Sequence, residues 1–389
     1  MRVIGKVSNN KSVLIVATTA YMIRQFNMNN IDLLQRMGHT VDVACNFTIG
    51  NPMSTEVLQA FKDNLKQRNV ICYDLSFVKS IFDLKNNLNA YMELKSKLKS
   101  KKYAFIHCQT PVAGVISRFA AWRTRTPNLY MAHGFHFYKG ASLVNWFIYY
   151  PIEKLMSLIT DVIIVINKED YDLSKRKLYP KKLFYLPGVG IETKIYNKKQ
   201  TIDLKTFKAH MGIPDNASLL LSVGELSERK NHEVLIKALT DIPDVHLMIA
   251  GIGSLESRLK QIAINNGVNE RVHFLGFRRD IRDIYPLADI YCHPAFQEGL
   301  SVAIMEAMAS SLPVVCANSR GNIDLIINEK GGLLVLQNSP KSYAKAINKL
   351  LGDSTLRLQM SEFNSERIKQ YDSSIIIREM EQIYLTFQK

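Results

Sequence analysis

Short apolar runs alternate with amphipathic stretches along the chain, and this alternation predicts strands and helices in turn. Runs rich in Val, Ile and Leu are typical of buried strands in parallel sheets, whereas apolar residues that recur with a 3.6-residue period predict helices. The first half predicts strands at residues 12–17, 40–44, 70–73, 104–108, 128–131 and 162–166, with helices such as 28–37 and 84–100 between them. The second half predicts strands at 219–223, 245–250, 272–275, 290–293, 313–316 and 332–335. Each series is typical of one open α/β sheet.

A Pro- and Gly-rich crossing separates the two series, and a chain of 389 residues is long enough for two cores. Residues 186–191, Leu-Pro-Gly-Val-Gly-Ile, are typical of a linker. We therefore predict an N-terminal Rossmann-like domain over 1–190 and a C-terminal one over 191–372, which starts with a helix near Thr201. A terminal helix over 373–389 is expected to pack back on the N-terminal domain. Open parallel sheets bind ligands at the carboxyl ends of their strands, so we expect the site in a cleft between the domains.

The charge balance favours an anionic partner. Lys and Arg outnumber Asp and Glu by 50 to 35, which gives a net charge of +15. Nucleic acid is a poor candidate, because the chain has no zinc-type Cys/His cluster, no aromatic RNA-binding pattern and no dense Arg tract. A phosphorylated ligand or an acidic membrane surface remains.

Cysteine usage and the apolar segments indicate a cytoplasmic protein. Five cysteines without Cys-x-x-Cys spacing predict buried free thiols in a reducing compartment. The opening residues carry only the short apolar run 13–19, so no signal peptide is expected. The most membrane-like segment, 143–166, is interrupted by Pro151 and by charged residues, and falls short of the ~20 apolar residues needed to span a bilayer.

Two carboxylates eight positions apart are the most specific chemical signal. Glu298 lies in a Gly-containing turn, and Glu306 lies within the otherwise apolar stretch 302–309. An ionised carboxylate there costs several kcal/mol unless it is hydrogen-bonded. A sugar diol can donate to both oxygens, so the pattern predicts a ligand rich in hydroxyls.

A basic loop precedes these acids, at 223–232. It follows a predicted strand and precedes a helix at 234–239, where free amides favour an anion, and Arg229 and Lys230 are placed to meet a diphosphate. Taken alone, a solvated loop is an equal alternative; the downstream acids favour the phosphate. Gly276 lets the backbone approach a flat base, whereas Arg278 is either a second cation or an exposed turn residue.

Three further segments give weaker indications of function. Residues 319–324 offer another helix start for phosphate or sugar, although Asp324 is equally a plain first-turn acid. The Gly-x-Gly at 251–253 lacks the rest of a dinucleotide fingerprint and is interpreted as a tight turn. At the end of the strand near 131, His133 is favoured as functional over His136, and His107, inside a strand, is interpreted as structural.

Two segments suggest membrane contact. Residues 94–102 are rich in Lys, and residues 146–150, Trp-Phe-Ile-Tyr-Tyr, are aromatic. Basic and exposed aromatic residues together suit an anionic bilayer surface, whereas the alternative is a solvated face beside an ordinary core helix. The net charge favours the membrane.

Together these segments resemble the family-4 retaining glycosyltransferases of the GT-B fold, which build bacterial capsular and exopolysaccharides. The resemblance covers nearly the whole chain. It rests on His107-Cys-Gln-Thr-Pro111, His133-Gly134, Gly224 to Lys230-Asn231, Leu275-Gly276 and Glu298-x7-Glu306 with its flanking Pro294, Gly299 and Ala307.

The resemblance implies a role for each matching residue. Lys230 would bind the donor diphosphate, Glu306 the ribose, and Glu298 the transferred sugar beside the amides of Gly299, Leu300 and Ser301. His133 would lie near that sugar, so His133, Glu298 and Lys230 are the expected catalytic residues.

This chain departs from the family in two places. Glu225 stands where many members carry Arg, so Arg229 or Arg278 would supply the cation. The first strand ends Ala17-Thr18-Thr19 instead of in a Gly-Gly turn, which leaves the acceptor loop unassigned.

The implied reaction needs neither a cofactor nor a metal, because cations and helix-start amides stabilise the departing diphosphate. No Asp-x-Asp stands where a metal would bind. The acceptor would attack from the leaving-group side with retention, and domain closure would exclude water.

We expect a nucleotide sugar, in particular a UDP-sugar, as donor and a polyprenyl-diphosphate-linked saccharide as acceptor, at the inner face of the plasma membrane. The alternatives are transfer to a soluble acceptor and nucleotide-sugar binding without turnover. A dinucleotide oxidoreductase is undercut by the missing fingerprint.

Overall fold

The computed structural model describes residues 12–49, 53–196 and 202–388. Thr201, where the sequence predicts a helix start, lies outside these residues. The chain divides into two compact units. Unit 1 runs to Val189 and resumes at Ile376, and unit 2 is Gly190–Ile375.

Unit 1 is built on a parallel sheet, which has seven strands in the described residues, in the order β3-β2-β1-β4-β5-β6-β7. The strands are β1 (Ser12–Thr19), β2 (Thr40–Asn46), β3 (Ile71–Asp74), β4 (Tyr103–Gln109), β5 (Asn128–Ala132), β6 (Val162–Val165) and β7 (Lys182–Tyr185). The helices between them are α1 (Ala20–Phe26), α2 (Met28–Arg36), α3 (Thr55–Gln67), α4 (Leu84–Ser100), α5 (Pro111–Thr124), α6 (Leu143–Ser157) and α7 (Lys168–Lys177). The strand order reverses between β1 and β4, as in Rossmann-like folds.

Unit 2 repeats this architecture with six parallel strands among its described residues, in the order β10-β9-β8-β11-β12-β13. They are β8 (Ser218–Val223), β9 (Val245–Ala250), β10 (Val272–Gly276), β11 (Ile290–His293), β12 (Val314–Ala317) and β13 (Gly332–Val335). Its helices are, in chain order, α8 (Thr193–Tyr196), α9 (Leu204–His210), α10 (His232–Ala238), α11 (Glu256–Asn265), α12 (Ile281–Ile284), α13 (Val302–Ala309), α14 (Asn322–Leu325), α15 (Pro340–Leu351) and α16 (Ser354–Arg367). The next helix, α17 (Ser373–Leu385), lies mostly in unit 1. In unit 2 the strand order reverses between β8 and β11.

The predicted α/β class with two parallel sheets is confirmed. Val13 to Ala17 of β1 are fully buried, as expected for a strand covered by helices on both faces. The sequence did not predict β7, because its four residues are half-buried to exposed and lack a continuous apolar run.

Helix α17 packs against the sheet of unit 1. The Tyr384 hydroxyl lies 2.8 Å from Nδ1 of His107, and Phe387 stacks on Phe105 with ring centroids 4.4 Å apart. The chain therefore returns to its first unit at its end.

Within the described ranges, no helix combines the length and apolar character that a bilayer crossing requires. The five cysteines are unpaired: four are buried and Cys72 is half-buried.

Candidate active site

Lys230 reaches Glu298 at the point where the strand order of unit 2 reverses. The loop after β8 contains a short 3-10 turn, Glu228–Lys230, and the loop after the neighbouring β11 carries Glu298. Nζ of Lys230 lies 2.5 Å from Oε1 of Glu298. The Lys230 stem lies across Gly224, where an added Cβ would come 3.2 Å from its methylenes. Two loops far apart in sequence thus meet at the edge where open α/β sheets bind ligands.

Glu298 has two further partners. Nη1 of Arg229 lies 3.0 Å from Oε1 and also donates to the carbonyl of Gln297 at 3.1 Å, and Nε2 of His293 lies 3.3 Å from Oε1. Burial alone would raise the pKa of the Glu298 carboxyl, but Lys230, His293 and Arg229 hold that pKa well below its ordinary value. Glu298 is therefore ionised at neutral pH although its side chain is only 11% exposed.

His293, at the end of β11, contacts both Glu298 and Ser301. Its Nδ1 lies 3.1 Å from the Tyr291 hydroxyl, and its Nε2 lies 3.2 Å from Oγ of Ser301. Burial lowers the pKa of His293, so the ring is neutral at physiological pH. The sequence predicted the strand at 290–293 but gave His293 no role, although it ends a strand as His133 does.

The loop at 299–301 leads into α13. Ser301 caps this helix, because its Oγ accepts from the amide of Ile304 at 3.3 Å. Gly321 supports the loop from beneath: its φ is 79°, and a Cβ there would lie 2.4 Å from the carbonyl oxygen of Gly299. Residues 319–324 therefore support the Glu298 loop, and the predicted helix start is only the four-residue α14.

Glu306 receives two tyrosine hydroxyls. Tyr196 donates to Oε1 at 2.7 Å, and Tyr285 donates to Oε2 at 2.9 Å. Burial raises the pKa of Glu306, and these two hydrogen bonds limit the rise. The protein itself therefore supplies a donor to each oxygen of this carboxylate, so its burial does not by itself require a ligand rich in hydroxyls. No spacing in the sequence pointed to Tyr196 or Tyr285.

Two further donor-side residues, Gly276 and Arg278, lie at the end of β10 and just after it. Gly276 has a φ of 63° and open space where a Cβ would stand, and its carbonyl accepts from the amide of Gly251 at 2.8 Å. Arg278 makes a bidentate pair with Asp280, at 2.8 and 2.6 Å. Its charge is therefore compensated locally, whereas Glu225 is exposed.

In unit 1, a chain of side-chain amides orients His133. Oε1 of Gln109 can only accept, so the contact of 2.7 Å to Nε2 of His133 is donated by the histidine. Nε2 of Gln109 in turn donates to Oδ1 of Asn27 at 2.7 Å and lies 3.3 Å from Nε2 of His107. His133 therefore carries its proton on Nε2 and presents Nδ1 as an acceptor. Burial lowers its pKa to about 4, so it is neutral at pH 7.

The two other histidines that the sequence singled out, His107 and His136, have partners of their own. His107 is buried against Tyr384, which suits the structural role that the sequence predicts, and burial lowers its pKa to about 3. His136 stacks on Tyr149 with ring centroids 4.4 Å apart.

In the part of the chain that the structure describes, no three His, Cys, Asp or Glu side chains are grouped so that they could hold a metal ion.

Comparison with known proteins decides the family. Residues 27–187 match the profile described as Glycosyltransferase Family 4, and residues 203–367 match that described as Glycosyl transferases group 1. EpsD of Bacillus subtilis (strain 168), assigned as a glycosyltransferase, is 30% identical over 385 residues, which cover 97% of each chain. This chain belongs to glycosyltransferase family 4. The predicted resemblance is confirmed, and the protein is an enzyme of the glycosyltransferase class.

Two more relatives of this family-4 glycosyltransferase are similar over most of their length. The UDP-Gal:α-D-GlcNAc-diphosphoundecaprenol α-1,3-galactosyltransferase of Escherichia coli is 26% identical, with 81% of this chain and 82% of the relative covered. The capsular polysaccharide biosynthesis glycosyltransferase CapM of Staphylococcus aureus is 26% identical, with 87% and 91% covered.

The crystal structure of HepE from Anabaena in complex with UDP superposes on this glycosyltransferase with a TM-score of 0.77 at 19% identity, covering 96% of this chain and 100% of HepE. The fold is GT-B. The chain is thus a GT-B glycosyltransferase of polysaccharide biosynthesis.

Proposed function

We propose that this enzyme transfers a sugar, with retention of configuration, from a UDP-sugar to a polyprenyl-diphosphate-linked saccharide. The observation that carries the proposal is the convergence of Lys230 and Arg229 on the ionised Glu298 at the strand-order reversal of unit 2. The E. coli relative, whose name gives UDP-galactose and a diphosphoundecaprenol-linked acceptor, supports the choice of substrates.

The two cations suit a departing nucleoside diphosphate. As the glycosidic bond breaks, negative charge grows on the diphosphate and positive charge on the anomeric carbon. Lys230 and Arg229 would stabilise the negative charge on the diphosphate, aided by the N-terminal amides of α13. Glu298 would face the positive charge on the anomeric carbon. The amides of Gly299, Leu300 and Ser301 lie in the same loop.

Glu306 keeps capacity for the ribose. A carboxylate offers roughly four acceptor positions, and the two tyrosines use one on each oxygen. The 2′- and 3′-hydroxyls would take the others, and Gly276 would lie beside the base.

Retention follows when the acceptor hydroxyl attacks from the side of the leaving group. Its oxygen bonds to the anomeric carbon as the bond to the diphosphate breaks, and its proton passes to a diphosphate oxygen. Neutral His133, with Nδ1 as acceptor, would bind a hydroxyl of the transferred sugar. No metal or cofactor enters this scheme.

We further propose that unit 1 docks on an anionic membrane, at the inner face of the plasma membrane. Helices α4 and α6 carry exposed apolar side chains, here called the membrane face: Leu84, Leu88, Met92, Leu143, Val144 and Phe147. On α4 the helical period places Lys95 and Lys99 on the same side as Leu84, Leu88 and Met92. Apolar residues beside lysines are suited to a lipid headgroup layer.

The side chains of the aromatic run 146–150 are less exposed than the sequence suggests. Trp146 donates to the carbonyl of Tyr138 at 3.2 Å and packs against Phe137, whereas Phe147 is 78% exposed. Most of the run therefore holds α6 in place, and Phe147 is the side chain that can enter lipid.

The test is transfer from radiolabelled UDP-sugars, assayed with undecaprenyl-diphosphate-linked N-acetylglucosamine in detergent and with free N-acetylglucosamine as the soluble alternative. We expect label in the lipid phase only. Label on the free sugar would instead favour a soluble acceptor, and UDP binding without product from either acceptor would favour a binding protein.

A further inference from the structure

Unit 1 contains an apolar cavity of about 230 Å³ beside the carboxyl ends of β4 and β5. Its wall is formed by the start of α4, the N-terminal half of α5, α6 and the segment that follows β5. Most of the lining is aliphatic or aromatic, and the aliphatic side chains include Ile81, Leu84, Val112, Val115, Ile116 and Ile152.

Glu153, the carboxylate in this wall, is already hydrogen-bonded within the protein. Both oxygens of Glu153 accept from the buried guanidinium of Arg118, at 2.5 and 3.0 Å, and that guanidinium lies 4.0 Å from the ring centroid of Tyr130. A bidentate pair of this kind is neutral as a unit and has its strongest hydrogen bonds made. The cavity therefore favours an apolar occupant over a sugar.

One side of the cavity adjoins the predicted reaction site. Gly134, which lines it, directly follows His133, and Pro111, which also lines it, comes two residues after Gln109. An occupant with an apolar tail in the cavity would thus have its other end close to the His133–Gln109 pair.

The other side is continuous with the membrane face. Leu84 both lines the cavity and is 75% exposed, and it begins the apolar stripe of α4. Phe82, just before it, is 74% exposed. An apolar path therefore leads from the surface of α4 into the cavity, with Lys95 and Lys99 on the same helix face to meet anionic headgroups.

We propose that this cavity holds the part of the acceptor's prenyl chain nearest its diphosphate. The inference rests on the proposed lipid-linked acceptor and adds where the lipid is bound. At about 230 Å³ the cavity is smaller than typical ligand pockets of roughly 300–1,000 Å³, so it takes a short segment of the chain. The remaining isoprene units run along the membrane face.

The test is binding of farnesyl diphosphate to the full-length protein, measured by calorimetry below the micellar concentration, with inorganic diphosphate as the headgroup control. Val115→Trp fills the cavity from α5, and Val115→Phe fills it partly should the larger residue prevent folding. Leu358→Trp, at an exposed position of α16 in unit 2, is the matched control. UDP binding and thermal unfolding are recorded for every variant.

We expect farnesyl diphosphate to bind at least about tenfold more tightly than diphosphate alone, and filling the cavity to remove that advantage while UDP affinity is unchanged. Equal affinities for the two probes, or full farnesyl binding by both Val115 variants, overturns the inference. Failure of the wild-type protein to bind UDP counts against the proposed function instead. The comparison of farnesyl diphosphate with diphosphate still decides whether the cavity binds a prenyl chain.

Discussion

Lys230 is the side chain on which the proposed leaving-group stabilisation depends most. Replacing it by methionine keeps the volume of the stem and removes the charge. We expect Lys230→Met to lower kcat about 10²–10³-fold, the usual cost of losing one preorganised electrostatic donor. The measurement is the initial transfer rate at saturating donor.

Lys237→Met is the matched control, because Lys237 pairs with Glu233 on α10 at 2.6 Å, away from Glu298. Its rate should equal that of the wild type. A Lys230→Met enzyme that retains more than about half of the wild-type kcat would refute the assignment.

The hydrogen bond from His133 to Gln109 predicts a protonation state that can be observed directly. Nitrogen-15 spectra of the wild type should show His133 as the neutral Nε2–H tautomer at pH 7, with a pKa near 4. In Gln109→Leu this tautomer loses its acceptor, and we expect mixed tautomers and a kcat reduced about 10–100-fold. His136, which stacks on Tyr149, should keep its spectrum.

If His133 of the wild type proves to carry its proton on Nδ1, the orienting role of Gln109 is excluded. Altered kcat without altered tautomers would instead point to a general loss of structure.

Site residues that interrupt a local sequence pattern could be predicted from the sequence. Site residues that join them only through tertiary packing could not. Lys230, Glu298 and Glu306 stand out because charge interrupts an apolar or Gly-containing pattern. Tyr196 meets Glu306 because α8 packs on α13, and Tyr285 reaches Glu306 from the short turn that follows α12; no local pattern indicates either contact. Gln109 lies in the segment 107–111, on which the family resemblance partly rests. Its contact with His133, however, depends on the register of β4 and β5.

At the level of elements, helix α4 combines an apolar stripe with a basic end, and this combination gives a test of membrane docking. We expect Lys99→Glu/Lys102→Glu to release the protein from anionic vesicles, because two attractive charges become repulsive near the surface. Co-sedimentation with phosphatidylglycerol vesicles measures the bound fraction.

Lys101 is left unchanged in that test, because its Nζ lies 2.7 Å from the buried Asp42 and its reversal would damage the fold. The control carries the same charge change at the exposed Lys341 and Lys345 of α15, in unit 2. Equal release by both double variants would mean that overall charge, and not the membrane face, governs binding.

The bounds of elements were predicted best where burial and period agree. The sequence placed α4 at 84–100, as observed, because its apolar period runs unbroken between a capping Asp83 and the basic end. In contrast, β7 was missed because an edge strand needs little burial.

For the whole molecule, buried neutral histidines predict sensitivity to mild acid. Burial lowers the pKa of His107 to about 3, of His133 to about 4 and of His232 to about 3. Because the unfolded chain binds protons near pH 6.5 and the folded chain does not, stability falls as the pH drops from about 6.5 toward 4. Each histidine should cost of the order of 2 kcal/mol of unfolding free energy between pH 7.5 and 5.

Urea unfolding at pH 7.5, 6 and 5 tests this expectation, since most carboxylates titrate below that range. A free energy of unfolding that stays constant across it would show that these rings are protonated in the folded protein.

The two-sheet architecture was predictable because thirteen described strands are, with few exceptions, continuous apolar runs set apart by helices. The helical period of the last segment predicted a terminal helix, which the sequence analysis expected to pack back on the N-terminal domain. Its anchoring by Phe387 and Tyr384 on β4 required the coordinates.

The way in which Glu298 and Gly224 confine Lys230 has a consequence for affinity. A free lysine side chain loses up to about 2 kcal/mol of rotational freedom when it is immobilised. In this protein that loss is incurred while the chain folds, so an incoming nucleotide finds the ammonium group already in place. Donor recognition is thereby spared an entropic penalty that a mobile surface lysine would impose on every turnover.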